Sequence, residues 1–599
     1  MNPRKSFYFE RGKKYEKLEA EFQKKLNRLV ISRLIVFIGG VYLSYLSINY
    51  NLLAGLFILF LFLVVFLRLI IWHIRTADKK EHFSILKRIN KDEESAMSGD
   101  WSEFEAGNEF VDTTHPFSYD LDLFGNGSLY QYINRTCTPE GRKTLGLWFI
   151  SPLLKREDIL EKQEALNILK ERIEWRQEFQ TEGVKNREMG EDKRNINEWV
   201  GSSSSFVGKP GYEIIRYLLP VLTISSVVLS AFSLIPSIIP ALFVICQLTI
   251  IGFLLLNINR QHSLVSRRFE VLKTYSRIFS LIENENFGSS YLDNKQSLLR
   301  NGSSLAGDEL KALANIIRAF DTRLNMLAGV IMNALFLWDI HCMIKLEKWR
   351  NHNKKLIPVW FEVIGEFDAL NSLAGFAFNN PDYPFPEVAD KSEPVMKLDG
   401  AGHPLIEYEK RVKNSFEIAS QGKLTIITGA NMAGKSTFLR TVGVNHLLAL
   451  TGAPVCAEKA MFSVMGLFSS MRTTDSLRKN ESYFYAELKR LKELKDRLIN
   501  GEKLLFILDE ILKGTNSEDK HKGSVKFLKK LIGLKSTGLI ATHDKALGAL
   551  ENEFPEQIVN KCFEIVIDGK KIHFDYKLRN GITQKMNAEL LMEQMGILS

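Results

Sequence analysis

Residues Gly429-Ala430-Asn431-Met432-Ala433-Gly434-Lys435-Ser436-Thr437 follow the order G-x-x-x-x-G-K-[ST]. The apolar run Leu424–Thr428 stands before them and Phe438-Leu439-Arg440 after them. That context reads as a strand, a phosphate-binding loop, and a helix whose first N–H groups face the phosphates. The ligand class is therefore a nucleoside triphosphate with Mg²⁺. Gly429 and Gly434 let the backbone approach the phosphates, where a Cβ would block the turn. Lys435 sets its ammonium on the β- and γ-phosphate oxygens, and Ser436 offers its hydroxyl to Mg²⁺. Ala430, Asn431, Met432 and Ala433 complete the ATP-binding loop. Thr437 closes it, one position too far round the helix start to serve the metal.

A second half of the site belongs on another strand. Leu504–Leu508 is a continuous apolar run, as in a strand buried on both faces, and it ends in Asp509-Glu510. The carboxyl end of such a strand is where ligands bind in open α/β sheets. Asp509 would hold Mg²⁺ through its water shell. Glu510 would orient and polarise the attacking water, which makes the chain a hydrolase rather than a passive binder. A third run, Gly538–Thr542, ends in His543-Asp544. His543 reads as a γ-phosphate sensor, with a surface histidine as the alternative. Lys435, Glu510 and His543 are the expected catalytic set.

With these blocks in hand, residues from about 402 to 599 resemble the ATPase domain of the MutS family of DNA mismatch repair proteins. The resemblance rests on His403-Pro404-Leu405-Ile406, the Asn431-Met432 pair inside the phosphate loop, and Ser482-Tyr483-Phe484-Tyr485-Ala486-Glu487. Asp509-Glu510-Ile511, Gly514-Thr515-Asn516-Ser517 and Ala541-Thr542-His543 follow in the family's order. Ala430, Ala433, Asn480 and Tyr483 depart from its usual residues, and none removes a group that does chemistry. The resemblance implies a homodimer with composite ATP sites in which Ser482 reaches the γ-phosphate held by the other subunit. A helix N-cap is the local alternative for Ser482, compatible with that role. By position, Phe416 resembles the family's adenine-stacking aromatic, with a buried core Phe as the alternative.

Upstream, segments of 112–165 and the run Phe367–Ala374 resemble the family's helical core and last lever helix. No room for the family's mismatch-reading and connector domains is expected before residue 110. Phe385-Pro386-Glu387 and Phe554-Pro555-Glu556 match its Phe-x-Glu wedge only by chance, because both lie in or beside the core and ATPase regions.

Two apolar hairpins stand in the remaining sequence. Leu34–Ile48 and Leu52–Leu67 flank Asn49-Tyr50-Asn51, and Tyr217–Leu234 and Ile238–Leu256 flank Ile235-Pro236-Ser237. Arg33 and Arg68 would snorkel to one face and extend each short half to about 20 residues. Neither turn carries Lys or Arg, whereas the flanks do (Lys24, Lys25, Arg28, Arg75, Lys79; Arg216, Arg260, Arg267). By the positive-inside rule both tips lie outside and all soluble parts in the cytoplasm. Buried helices of a helical domain are the alternative. Against that stands a mean hydropathy of −0.08 in a chain with 25% charged residues.

The net charge of +9 gathers partly at these flanks, where it suits anionic lipid and argues only weakly for nucleic acid. Five scattered cysteines without a C-x-x-C exclude a zinc knuckle and suit a reducing compartment.

The expected architecture is an α/β P-loop ATPase domain (ABC-like) preceded by an all-α core and lever with two transmembrane helical hairpins. Its parts are a basic segment 1–29, hairpin 30–74, linker 75–110, core 111–205, hairpin 206–258, lever and core 259–400, and ATPase domain 401–599. The expected function is a multi-pass membrane-anchored ATPase whose dimer switches with ATP and Mg²⁺ and binds DNA. A nucleotide-gated membrane scaffold without DNA is the alternative. An ABC-type transporter is disfavoured by the lack of an L-S-G-G-Q helix.

Overall fold

The computed structural model describes residues 3–185, 199–201, 204–265, 269–389, 396–472, 483–513, 516–568 and 571–584. The three apolar runs that end in polar residues are adjacent strands of one sheet. We number the strands β1 Glu387–Val388, β2 Met396–Ala401, β3 Asn414–Ile418, β4 Leu424–Gly429, β5 Lys459–Phe462, β6 Gly466–Ser470, β7 Leu504–Asp509, β8 Thr537–Thr542, β9 Ile558–Asp568 and β10 Lys571–Asn580. The six-stranded sheet runs β10-β9-β4-β8-β7-β6, parallel except for β10 at one edge. A four-stranded sheet, β1-β5-β2-β3, stands beside it.

Every residue of β4, β7 and β8 is buried, which is why these strands read as unbroken apolar runs rather than alternating ones. Alternation still sorts the two faces. Leu505 and Ile507 of β7 turn to the helix Lys435–Leu450 and to the helical core, in one continuous hydrophobic cluster. Leu504, Phe506 and Leu508 turn the other way, onto Leu491, Leu494, Leu528 and Leu531 of the helices Tyr483–Ile499 and Ser517–Gly533.

The helices used below are α1 Pro3–Ile48, α2 Leu52–Ala96, α3 Pro139–Ile150, α4 Arg156–Glu171, α5 Ile173–Val184, α6 Pro210–Ala231, α7 Ile238–Val265, α8 Phe269–Glu283, α9 Ala306–Asp321, α10 Met326–Phe336, α11 Trp338–Asn353, α12 Leu356–Asn379, α13 Lys435–Leu450, α14 Tyr483–Ile499 and α15 Ser517–Gly533. The centre of the helical part is α12, buried without interruption from Phe367 to Asn379. Its Asp368 carboxylate accepts from the Thr138 amide (2.8 Å) and the Thr138 hydroxyl (2.6 Å) at the start of α3. Burial raises the Asp368 pKa to about 6.

The expected linker 75–110 is corrected by the structure: α2 stays helical to Ala96, and α1 is helical from Pro3. The two helices pair antiparallel along their length, turned by Asn51, whose side chain accepts from the Leu53 and Ala54 amides. The physical reason is a heptad: Tyr8, Tyr15, Phe22 and Leu29 recur every seven residues on α1. Tyr15 and Phe22 both meet Phe83 of α2, and Lys87 pairs with Glu19 at 2.5 Å. At 46 and 45 residues the helices are each about 68 Å long.

The base of this pair is locked to α12. Tyr8 donates to Asn379 (2.7 Å), Asn379 donates to Glu93 (3.0 Å), and Glu93 holds the buried Arg135 at 2.6 Å.

Among the described residues, four helices, α1, α2, α6 and α7, are long and apolar enough to cross a membrane by length and composition. Their apolar side chains are largely exposed, as Leu53 (77%) and Phe253 (86%) illustrate.

Candidate functional site

Strand register brings the three polar strand ends to one level. Ala541 of β8 is aligned with Ile427 of β4 on one side and with Asp509 of β7 on the other. The residues just beyond, Gly429, Glu510 and His543, therefore meet at the carboxyl edge of three neighbouring strands. A cavity of about 630 Å³ opens there, lined by the phosphate loop together with Asp509, Glu510 and His543.

The loop keeps its shape through backbone conformations that the sequence pattern demands. Gly434 has φ +103°, and a Cβ there would come within 3.0 Å of the Tyr576 ring. Met432 also has positive φ (+66°), a strained conformation for a non-glycine residue. α13 begins at Lys435, so its first N–H groups have no intrahelical acceptor and remain available to an anion.

The Lys435 ammonium donates to the carbonyls of Gly429 (2.8 Å) and Ala430 (2.9 Å). It also lies 3.3 Å from His543 Nε2. Burial lowers its pKa to about 8, partly opposed by the carboxylates of Asp509 and Glu510. The Ser436 hydroxyl donates to Asp509 Oδ2 at 2.5 Å. A hydroxyl and a carboxylate side by side are the hard-oxygen set that a Mg²⁺ ion takes, so the donor chemistry fits that ion.

Glu510 has φ +55°, which turns its carboxylate out of the strand and across the end of β8. Its Oε1 meets His543 Nε2 at 2.9 Å, and its amide donates to the Ala541 carbonyl at 2.9 Å. The hydrogen bond from His543 outweighs partial burial and holds the Glu510 pKa at about 2. The carboxylate is thus ionised and oriented by a neighbouring ring. That pairing is not foreseen from sequence, which reads His543 as a γ-phosphate sensor or a surface residue.

Of the two positions open to Phe416, the structure shows the core one. Alternation along β3 points Phe416 and Ile418 inward, and Phe416 sits in the core, 3% exposed, edge-on to Phe438. The ring that does line the cavity from the sheet edge is Tyr576 of β10, half-exposed and stacked on Phe574. His403, also in the cavity wall, is kept neutral by burial, its pKa lowered to about 4. Ser482 lies outside the described residues, as do Gly514 and Thr515.

Two supports for the site escaped the sequence reading. Glu487 of α14 accepts from the amides of Leu512 and Lys513 (3.0 Å to the latter), fixing the loop that leaves Glu510. Asp120, in the helical part, accepts from the Ser469 hydroxyl (2.7 Å) and from the amides of Met471 (3.1 Å) and Arg472 (2.8 Å). Arg472 pairs with Asp122, and Arg490 donates to the carbonyls of Thr114 and His115. The helical part therefore grips the end of β6. Glu487 closes the Ser482–Glu487 block quoted above, but its hold on the Leu512 and Lys513 amides is visible only in the fold, and Asp120 stands in no recognisable spacing.

This geometry can be set beside known proteins. Residues 425–590 match the model of MutS domain V, and residues 114–201 match that of MutS domain III. Both matches are to models of MutS domains.

The "DNA mismatch repair protein MutS" of Thermotoga petrophila is 30% identical over 246 residues, covering 40% of this chain and 30% of that protein. The protein of the same name from Thermotoga maritima is 29% identical over 296 residues, 49% of this chain and 35% of that protein. "MutS protein homolog 4" of Homo sapiens is 29% identical over 270 residues, 43% of this chain and 26% of that protein. These likenesses support membership of the MutS family. The chain matches about a third or less of each relative's length. The stretch that matches MutS domain V contains the phosphate loop, β7 and β8, and the stretch that matches MutS domain III contains Asp120 and Asp122.

Proposed function

We propose that this chain is a membrane-anchored MutS-type ATPase whose dimer changes state with ATP and acts on DNA. The observation that carries the reading is the meeting of Lys435, the Ser436–Asp509 pair and the Glu510–His543 pair at three adjacent strand ends. Lys435 and the first amides of α13 bind the β- and γ-phosphates. Ser436 and Asp509 hold Mg²⁺, which supplies charge neutralisation on the phosphate oxygens when bound. Glu510, kept ionised by His543, orients the attacking water and takes its proton. Ser482 completes the site of the other subunit. The relatives' names carry DNA mismatch repair, and that supports DNA as partner. The exposed apolar helices and their basic flanks support the membrane anchor, with core and ATPase domains in the cytoplasm.

The test is ATP hydrolysis by the detergent-purified full chain, with and without duplex, junction and single-stranded DNA across a salt series. Lys435→Ala should abolish nucleotide binding. Glu510→Gln should bind ATP with unchanged affinity and hydrolyse it at least about 100-fold more slowly. Normal turnover by Glu510→Gln would remove Glu510 from its assigned role. A second reading, a nucleotide-gated membrane scaffold without DNA, is favoured by the α6–α7 hairpin, which occupies the stretch between two parts of the helical core. Robust hydrolysis that no DNA form alters would select it.

A further inference from the structure

The apolar surface of the second hairpin does not end with α6 and α7. A short helix, α10, reads Met-Leu-Ala-Gly-Val-Ile-Met-Asn-Ala-Leu-Phe and packs against both of them. At 11 residues it is about 16 Å long, half of the roughly 30 Å hydrocarbon core, so it is no span by itself. Nor does it join α11 into one, because the two axes bend by 84° at Leu337. α11 instead enters the protein core through Ile340, Met343, Ile344 and Leu346.

The two faces of α10 are sharply different. Gly329 and Asn333, one turn apart, are buried on the side facing the protein, and Ala334 is buried near the end of the helix. Asn333 is satisfied there, donating to the Gly329 carbonyl (3.0 Å) and accepting from the Asp339 amide (2.9 Å). Met326 (84% exposed), Leu327 (73%), Val330 and Ile331 form the opposite face, with Leu324 beside them on the preceding turn. Those residues recur at i, i+1, i+4 and i+5, a continuous apolar stripe. The level of the helix along the hairpin is fixed by its neighbours: Arg323, in the turn before α10, pairs with Asp339, and His262 near the end of α7 pairs with Asp321. α10 thus lies where the hairpin meets its charged flank.

We infer that α10 is an interfacial helix that beds its Met326/Leu327/Val330/Ile331 stripe in the lipid boundary beside the second hairpin. The occupant is lipid because α10 packs against both α6 and α7 and its exposed stripe continues their exposed apolar flanks. This rests on the membrane reading above and adds a third lipid-facing element to it.

The test uses the full chain in phosphatidylcholine–phosphatidylglycerol vesicles with lipid-borne nitroxide quenchers. A fluorophore on the exposed native Cys246, in mid-hairpin, reports the membrane reading. A fluorophore on Leu327→Cys, or independently on Ile331→Cys, each in a Cys246→Ser background, reports α10. Leu154→Cys, exposed on the helical core, is the aqueous control. Retained ATP hydrolysis shows that each variant is folded.

The expected result is at least twofold stronger quenching at 327 and 331 than at 154. A headgroup-proximal nitroxide should act best at 327 and 331, and a mid-chain nitroxide best at Cys246. Quenching at Cys246 but not at 327 or 331 overturns the inference and leaves the anchor standing. Absence of quenching at all positions overturns both. Energy transfer between labels at 327 on two copies, without quenching, assigns the stripe to a second copy and also overturns it.

Discussion

The ammonium of Lys435 is held by two loop carbonyls and partly stripped of water, with a pKa near 8. A bound triphosphate adds negative charge beside it and must raise that value, because the charged form gains. Nucleotide binding should then take up protons above the free value and none well below it. Calorimetry in buffers of differing ionisation enthalpy should find net uptake at about pH 9 and none at about pH 6. Equal proton counts at both would remove Lys435 as the phosphate-contacting cation. The residues of this site were readable to very different degrees. Lys435, Ser436, Asp509 and Glu510 announce themselves through fixed spacing and through apolar runs that end in charge. The left-handed backbone of Glu510 and its pairing with His543 depend on strand register, which the sequence does not state. Phe416 stayed open between two positions because one aromatic among apolar neighbours reads the same in a core as in a base-binding wall.

At the scale of elements, two carboxylates hold separate parts of the chain together. Glu93 of α2 holds Arg135, and both side chains are almost wholly buried. Glu93→Ala should cost about 3–5 kcal/mol in a denaturant titration, since the Arg135 charge is left buried without its partner. Tyr8→Phe, which removes only the hydroxyl bond to Asn379, should cost about 1 kcal/mol. Asp120 ties the helical part to β6 immediately before residue 473. Asp120→Ala should leave nucleotide affinity within about twofold while slowing hydrolysis about tenfold or more, because it loosens the segment that leads toward Ser482 rather than the phosphate loop. An equal loss of both would make Asp120 a plain stability residue. The heptad of α1 was present in the sequence but hidden under Lys and Glu, so a basic segment and a linker were expected where two paired helices stand. α10 escaped notice for a different reason: it is too short for a span and too apolar for a surface helix.

For the whole molecule, the proposed composite sites make a sharp mixing prediction. Ser482→Ala and Lys435→Ala should each be inactive alone. Mixed in equal amounts and allowed to exchange, they should regain about a quarter of wild-type hydrolysis, because half the dimers are mixed and one site in each is intact. No recovery with demonstrated exchange would refute Ser482 as a residue acting across the dimer. The overall plan was legible where pattern has a single meaning: parallel buried strands, a cavity at their carboxyl ends, helices before them. The joints between parts were not, because they depend on single buried polar residues such as Asn379 and Asp120.

The paired helices α1 and α2 have a mechanical consequence. Residues 3–29 and 75–96 lie outside the apolar tip and form an arm of about 40 Å, keyed at its root to the end of α12. A rotation of α12 by 10° would sweep the tip of such an arm through about 7 Å. If the tip is held in a bilayer, that displacement is resisted by the membrane, and bilayer stiffness becomes a load on the ATPase cycle. Turnover measured in detergent, where the tip is free, and in vesicles, where it is held, should then differ even though no residue at the phosphate loop has changed.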